Sequence, residues 1–100
     1  MTMVLDSSKV RPAIIVSNNA YNESFGDILA VPLTTNLELR EYAVLLTPKD
    51  LEQGRLIKES KIKVDKLFSV EKKLVRLIIG KISQKKFSAI QKMIYELIAA

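Results

Sequence analysis

The first residue that could do chemistry is Arg11, which stands directly before Pro12 and a short apolar run. Residues 13–16 (Ala-Ile-Ile-Val) are too few for a helix and are mostly β-branched, which predicts a buried strand. The proline fixes its own φ and disfavours the helical region for Arg11, so Arg11 should have an extended backbone at the start of the strand. A cation at that place can bind an anion, and it can equally form a plain structural ion pair.

A second group of polar side chains follows the next apolar run, residues 28–33, which also predicts a strand. Pro32 cannot donate a ladder hydrogen bond, so it should lie at a sheet edge, at a bulge or at the strand end. Thr34, Thr35 and Asn36 come directly after this run. Their hydroxyl and amide donors could bind a phosphate or a sugar hydroxyl, or they could cap the turn.

The composition limits the chemistry that these residues can support, because the 100 residues include no cysteine and no histidine. Without cysteine there are no disulfides and no thiolate metal sites, which fits a reducing compartment. Without histidine the chain lacks the usual general base at neutral pH and the commonest zinc ligand. Catalysis would have to depend on arginine, lysine, carboxylates, hydroxyls or the backbone, and we expect no metal and no other cofactor.

The hydropathy pattern predicts a cytoplasmic protein with no membrane partner. The first ten residues lack the apolar core of a signal peptide, and no apolar run approaches the roughly 18 residues of a membrane span.

The positive charge is concentrated in one part of the chain. The formal net charge is +5, yet residues 61–100 alone carry ten basic and three acidic side chains. A basic half of a domain is typical of proteins that bind a polyanion, most often nucleic acid. Nine of the ten basic residues are lysines, so a merely solvated surface is an equally good interpretation.

Further strands must complete the sheet that positions these groups. Residues 43–46 are apolar, and residues 56–64 alternate in part between apolar and charged side chains, as in a half-buried strand. Residues 75–82 predict another strand, in which Gly80 marks a bulge or a close approach of two backbones.

Short helical turns and a loop are predicted between the strands. Residues 47–54 should form a one-turn helix with Thr47 as N-cap, proline at the first position and glycine at its end. Residues 69–73 predict a second helical turn, and the asparagine-rich residues 18–27 predict a loop.

The last element should be a helix that begins after Ser83, a good N-cap. One helical face then carries five apolar side chains, namely Phe87, Ile90, Ile94, Leu97 and Ile98. Five short strands, helical turns and a C-terminal helix give an α+β class. Strands joined by loops rather than by long helices favour an antiparallel, barrel-like sheet.

Four segments carry a resemblance to a known family. They are Lys-x-Arg-Pro-Ala-x-x-Val-Ser-Asn at residues 9–18, Val-Pro-Leu-Thr-Thr at 31–35, Glu-Ser at 59–60 before a strand into Asp65, and Ile-Gly-Lys-Ile-Ser at 79–83. In order and spacing, over about residues 8–98, the chain resembles PemK/MazF-like toxins.

The resemblance implies that residues 1–100 form a single domain with an SH3-like antiparallel β-barrel and a C-terminal helix. It also implies a homodimer that acts as the toxin of a toxin–antitoxin system. Such toxins are metal-independent endoribonucleases that cut single-stranded RNA at short motifs, and a cognate antitoxin occupies their RNA groove.

The resemblance also assigns roles to individual residues. Arg11 matches the catalytic arginine and Thr34 the catalytic threonine, while Lys63 stands where some members have a catalytic arginine and Asp65 stands at a matching acid. The expected RNA-binding residues are Lys9, Thr35, Asn36, Lys61 and Lys66.

Three departures from the family pattern bear on activity. The usual first strand, Gly-Asp-Ile followed by alternating apolar residues, is represented only by Met-Val-Leu-Asp at residues 3–6, so we expect that strand to be missing or shortened. Lys63 is not arginine, and Phe68 stands where many members have arginine. These departures leave open a rival interpretation, a degraded relative that only binds RNA or antitoxin. A second rival is independent of the family, namely a basic module whose C-terminal half binds nucleic acid without sequence preference.

Overall fold

The fold is described from a computed structural model, which covers residues 2–6, 9–56 and 58–99, with side chains described for residues 11–56 and 58–99. The strands are β1 (Thr2–Asp6), β2 (Lys9–Ile15), β3 (Asp27–Thr34), β4 (Ala43–Leu46), β5 (Leu51–Gly54), β6 (Ser60–Lys63), β7 (Phe68–Glu71), β8 (Val75–Ile78) and β9 (Gly80–Ile82). The α-helices are α1 (Asn19–Ser24) and α2 (Gln84–Ile98), and short 3₁₀ turns cover Pro48–Asp50, Val64–Lys66 and Lys72–Leu74.

One antiparallel sheet holds seven of these strands, in the order β4-β6-β3-β2-β1-β8, with β7 paired to β3 outside that path. β5 and β9 pair with each other in a separate two-stranded sheet. The predicted class, antiparallel strands with a C-terminal helix, is therefore confirmed.

β3 lies at the centre of the sheet and changes partners along its length. One edge pairs with β2, and the other pairs first with β7, over residues 27–30, and then with β6, at residues 33–34. Pro32 falls in the gap between the two pairings, although it is paired with Ala13 on β2. Pro32 therefore lies in a central strand, at the point where the side of β3 away from β2 has no pairing partner among the described strands, so its missing N–H does not interrupt a ladder there.

The two faces of the sheet bury different residues, because successive side chains of a strand point to opposite faces. The first core contains Ile14, Val31, Ile62 and Ile90 with other apolar side chains of β4, β9 and the turn after β6. The second core is smaller and consists of Ala13, Ile28, Ala30 and Val70. β2 and β3 therefore contribute to both cores, which explains why each reads as a nearly continuous apolar run.

α2 covers the first core. Ser83 caps it as predicted, since its Oγ accepts a hydrogen bond from the backbone N–H of Lys86 at 3.2 Å. Ile90 is completely buried, and Phe87, Ile94 and Leu97 pack against the first core. The prediction for Ile98 was wrong, because its side chain is 78% exposed and Met93 takes part in the packing.

Local structure differs from the sequence prediction in three places. The loop predicted at residues 18–27 contains α1, which Asn18 caps by accepting a hydrogen bond from the N–H of Tyr21 at 2.8 Å. The helix predicted over residues 47–54 ends at Asp50, and the rest is strand β5. The helical turn predicted over residues 69–73 is largely strand β7. In the last two places, pairing with β9 or β3 outweighs the local propensity.

The strand predicted over residues 75–82 is divided into β8 and β9 around Ile79. Gly80 lies where two backbones approach closely, as predicted, because a Cβ added there would stand 2.5 Å from the carbonyl oxygen of Gln53. Gly54, directly opposite in β5, has a φ of 85° and tolerates a side chain no better.

The short N-terminal strand pairs with two neighbours. β1 lies between β2 and β8, antiparallel to both. The turn predicted after it includes Ser7 and Ser8, which lie outside the described residues. Within the described ranges, no helix is long and apolar enough to cross a membrane.

Candidate functional site

Arg11 lies within β2, which begins at Lys9, so the prediction that it stands at the start of the strand was wrong. Its side chain is exposed. Val4 of β1 is its partner on one side. On the other side, the β2–β3 register ends at Ala13 and Pro32, and continuing it by two residues sets Arg11 opposite Thr34. The side chain of Arg11 makes no hydrogen bond or ion pair within the part of the chain that the structure describes, so the structural ion pair considered from the sequence is not formed there.

Thr34 is the last residue of β3 and is half-buried. Its partner on β6 is Lys61. The Thr34 Oγ1 accepts a hydrogen bond from the backbone N–H of Asn36 at 3.2 Å, so its own proton remains available to a ligand. This contact fixes the start of the loop that follows β3.

Four of the predicted catalytic and RNA-binding residues, Arg11, Thr34, Lys61 and Lys63, share one face of the sheet. Arg11 alternates with Pro12 and so faces the same way as Ala13, a member of the second core. Thr34 faces the same way as Ala30, again in the second core. Lys61 and Lys63 flank Ile62, which is in the first core, so both lysines point to the opposite face. The whole group therefore lies on the face of the sheet away from α2.

A cleft of about 300 Å³ opens at the end of β3 and β6. Its lining residues are Thr34, Asn36, Glu38, Leu39, Arg40 and Lys63. The structure thus brings together two of the predicted catalytic residues, Thr34 and Lys63, whereas Arg11 is adjacent to Thr34 by register and is not part of the lining.

Asp65 is in the cleft's vicinity but already has a partner. Nη2 of Arg40 donates to both of its carboxylate oxygens, at 2.7 and 2.9 Å. The hydrogen bond from Arg40 holds the pKa of Asp65 below its ordinary value of 3.8. A carboxylate that is occupied in this way is a weaker base than a free one, so the arrangement makes Asp65 a poor acceptor for a substrate proton.

The predicted RNA-binding residues have different environments. Lys61 Nζ donates to the backbone carbonyl of Glu38 at 2.8 Å, which ties the loop after β3 to β6. Asn36 accepts a hydrogen bond from the N–H of Glu38 at 3.1 Å, as expected of the turn-capping alternative. Thr35 and Lys66 are exposed, and the side chain of Lys9 lies outside the described residues.

Two charged residues of the cleft, Glu38 and Arg40, were not predicted from the sequence. Both lie in a segment, residues 37–42, that reads only as a charged connection. The pairing of Arg40 with Asp65 spans 25 residues, and no local pattern encodes a contact of that separation. The Glu38 carboxylate forms no hydrogen bond or ion pair among the described residues.

A larger cleft, of about 880 Å³, lies between the end of β2, the β5–β9 pair and α2. It is lined by Ser17, Asn18 and Asn22 on one side and by Gly80 and Phe87 on the other. None of the predicted site residues lines it, and its walls carry no carboxylate, so we do not place the chemistry there. Among the residues that the structure describes, no cluster of three carboxylates could hold a metal ion.

Comparison with known proteins identifies what this arrangement is similar to. Residues 5–98 match the model of the PemK-like, MazF-like toxins of type II toxin–antitoxin systems. A search of curated proteins finds no match.

Several solved structures share the fold. One is an endoribonuclease in complex with its cognate antitoxin from a mycobacterial species, with 23% identity, a TM-score of 0.80, and 95% of this chain and 86% of that chain covered. Another is MazE–MazF from Deinococcus radiodurans, with 18% identity, a TM-score of 0.81 and coverage of 98% and 89%. A third is the toxin MazF-mt6 from Mycobacterium tuberculosis, with 16% identity, a TM-score of 0.78 and coverage of 96% and 94%. At these identities the likeness confirms the predicted fold.

Proposed function

Because the chain belongs to the PemK-like, MazF-like toxins of type II toxin–antitoxin systems, we propose that it cuts single-stranded RNA at the end of the sheet where Arg11 and Thr34 meet. The observation that carries the proposal is the exposed guanidinium of Arg11, which has no partner among the described residues, is in register with Thr34 and lies on the same face as Lys63. An exposed arginine with no side-chain partner among the described residues, near a cleft that contains Lys63, is suited to an anionic substrate.

The reaction that fits these residues uses the nucleophile that RNA carries itself. The 2′-oxygen attacks the adjacent phosphorus, the 2′-O–P bond forms, and the bond from phosphorus to the 5′-oxygen breaks. The products are a 2′,3′-cyclic phosphate and a 5′-hydroxyl. No activated serine or cysteine is required, which agrees with a chain that contains neither cysteine nor histidine.

Each step needs a group that the site can supply. Charge builds up on the non-bridging oxygens of the pentacoordinate phosphate, and Arg11 and the hydroxyl of Thr34 are placed to donate hydrogen bonds to them. Lys63 adds a positive charge in the cleft. The departing 5′-oxygen takes a proton, which Arg11 or water supplies.

The proton of the 2′-hydroxyl needs an acceptor, and we assign this role to Glu38. It lines the cleft, and its carboxylate has no partner among the described residues. Asp65, the acid predicted from the sequence, is bound by Arg40, so we propose that it positions that arginine instead. Lys9, Thr35, Asn36, Lys61 and Lys66 remain the proposed contacts to the RNA backbone, and Lys61 would reach RNA only by releasing the Glu38 carbonyl.

The proposal extends to the protein's partners and conditions. We propose that the toxin is a cytoplasmic homodimer, that it needs no metal, that it recognises a short sequence, and that a cognate antitoxin covers the Arg11–Thr34 face. The mycobacterial endoribonuclease that shares the fold was solved in complex with its cognate antitoxin, which supports the last point.

A degraded toxin that only binds RNA or antitoxin is the second candidate, and one observation favours it. Lys63 supplies a point charge where some relatives have the planar fork of arginine. Phe68 is less informative, because it pairs with Ala30 and packs on the second core, where an apolar side chain stabilises the fold.

The test is cleavage of a long single-stranded RNA by the purified protein in EDTA, beside the same RNA carrying 2′-O-methyl groups. We expect cuts at a recurrent short motif, 2′,3′-cyclic phosphate ends, and no cuts in the methylated RNA. Cleavage that survives 2′-O-methylation would contradict the mechanism, and binding of both RNAs without any cleavage would support the degraded toxin.

A further inference from the structure

Arg40 uses only one of its nitrogens to hold Asp65. Both hydrogen bonds, at 2.7 and 2.9 Å, come from Nη2, so the pair lacks the parallel two-nitrogen geometry of the strongest arginine–carboxylate contacts. Nη1 makes no hydrogen bond within the described residues. Nε is buried without a partner there. The guanidinium therefore keeps donor capacity that the ion pair does not use.

Arg40 is placed where a ligand in the cleft can contact it. Arg40 lines the cleft together with Thr34 and Lys63, and its side chain is 34% exposed. The loop that carries it is anchored twice, by the contact with Asp65 and by the hydrogen bond from Lys61 to the Glu38 carbonyl. A guanidinium held in this way loses little conformational freedom when it binds a ligand.

We propose that Arg40 binds an RNA phosphate in the cleft and that Asp65 is the positioning residue that aims it. The inference rests on the proposed function, since it requires that the cleft takes single-stranded RNA. Lys63 offers one compact charge, whereas Arg40 offers planar donors matched to two phosphate oxygens. Arg40 thus supplies the guanidinium that Lys63 does not.

The plain alternative is a structural ion pair that does no more than tie the loop to the turn after β6. The two interpretations predict opposite effects on RNA affinity when the charge of Asp65 is removed. In a structural pair, removing either partner frees the loop, and both variants change RNA binding in the same direction. In the proposed arrangement, removing the arginine loses a phosphate contact. Asp65→Asn instead keeps an oxygen that can accept the hydrogen bond from Nη2 of Arg40, so the arginine stays aimed, while the negative charge that repels the phosphate is removed.

The experiment measures the affinity of a fluorescent 2′-O-methyl RNA of mixed sequence, which the proposed reaction cannot cut, by anisotropy in EDTA over a range of salt concentrations. The variants are Arg40→Gln, Arg40→Lys and Asp65→Asn. Arg55→Gln removes an exposed arginine outside the cleft lining, and Glu71→Gln removes an exposed acid that pairs with Lys73. These two serve as controls for the change of net charge.

We expect Arg40→Gln to weaken binding about tenfold, as for one hydrogen-bonded charge contact at a partly exposed site. The slope of log affinity against log salt should fall by about 0.7, the value for one phosphate on a single strand. Arg40→Lys should recover the salt slope but only part of the affinity. Asp65→Asn should bind up to about fivefold more tightly. Arg55→Gln should change the affinity less than Arg40→Gln does, and Glu71→Gln less than Asp65→Asn does.

Equal weakening by Arg40→Gln and Asp65→Asn would overturn the inference and leave a structural pair. An unchanged affinity in Arg40→Gln, with the variant folded by circular dichroism, would also overturn it. Because the RNA probe cannot be cut, a wild-type protein that lacks ribonuclease activity but shows opposite effects of the two variants would refute the proposed function alone. Cleavage by the wild type with parallel effects of the two variants would refute this inference alone.

Discussion

Replacing Ile90 by alanine tests whether the site lies on the face of the sheet opposite α2. Ile90 is completely buried and packs in the first core, whereas Arg11 and Thr34 face the second core. The truncation should destabilise the protein by about 2–5 kcal/mol, through lost transfer free energy and the cavity that remains. A loss of 2 kcal/mol corresponds to a fall in Tm of about 8–16 °C for a domain of this size.

The assay combines urea unfolding, followed by circular dichroism, with RNA cleavage at a temperature at which the variant stays folded. Ile90→Val should cost only about 0.5–1.5 kcal/mol and gives a graded second point. Lys92→Ala changes an exposed residue of the same helix and should alter stability by less than about 0.5 kcal/mol. The rate of RNA cleavage per folded molecule should equal that of the wild type in Ile90→Ala, Ile90→Val and Lys92→Ala.

The reasoning would be refuted in either of two ways. A loss of stability below about 1 kcal/mol in Ile90→Ala would mean that α2 does not cover the core as described. A large loss of cleavage per folded molecule, with stability retained in Ile90→Val, would mean that the helix and the site are not on opposite faces.

Two further predictions concern the carboxylate of Glu38 in the cleft and that of Asp65 beside it. Glu38→Gln should lower the cleavage rate about 10²–10⁴-fold, the usual contribution of a general base, while binding of 2′-O-methyl RNA is retained; an equal rate in the variant would remove Glu38 from the mechanism. The pKa of Asp65, followed by carboxyl NMR, should lie below 3.8 in the wild type and rise towards that value in Arg40→Gln. The pKa of Asp65 is lower in the folded protein than in the unfolded chain. The contribution of the Arg40–Asp65 pair to stability is therefore complete above about pH 4 and is lost as the pH falls through the folded pKa. A stability difference between wild type and Asp65→Asn that persists unchanged at lower pH would contradict this assignment.

The strands and the closing helix were predictable because their signals are local. The apolar run before Ser17, the Thr47–Pro48 start of a helical turn, and Ser83 before a periodic face each encode an element within a few neighbours. All three elements are present in the structure. Ile98 was misassigned because spacing alone places it on the apolar face, whereas it is the last residue of the helix and is exposed.

The elements that were missed depend on contacts between distant residues. β5 forms because it pairs with β9, and β7 forms because it pairs with β3, so their sequences alone favour a turn. α1 was missed for a different reason. Its asparagines are typical of loops, yet Asn18 caps the helix, and the rings of Tyr21 and Phe25 stack with centroids 4.8 Å apart.

The candidate site was predictable in part for the same reason. Thr34 ends β3, and Arg11 stands directly before Pro12 within β2. Both lie in recognisable sequence segments, so they can be named as candidates from the chain alone. Arg40 and Glu38 stand in a loop without a pattern, and their position in the cleft depends on an ion pair with Asp65 and on a hydrogen bond from Lys61. Such long-range contacts become visible only in three dimensions.

The central claim is that Arg11 belongs to a ribonuclease site, and comparing Arg11→Ala with Arg55→Ala tests it most directly. Both variants remove one exposed arginine, so they change the net charge equally. In EDTA, on a long single-stranded RNA, Arg55→Ala should cut like the wild type, and Arg11→Ala should lose at least about 10²-fold in rate, as for one donor to a transition-state oxyanion. Equal cleavage by the two variants, with both folded, would contradict the account.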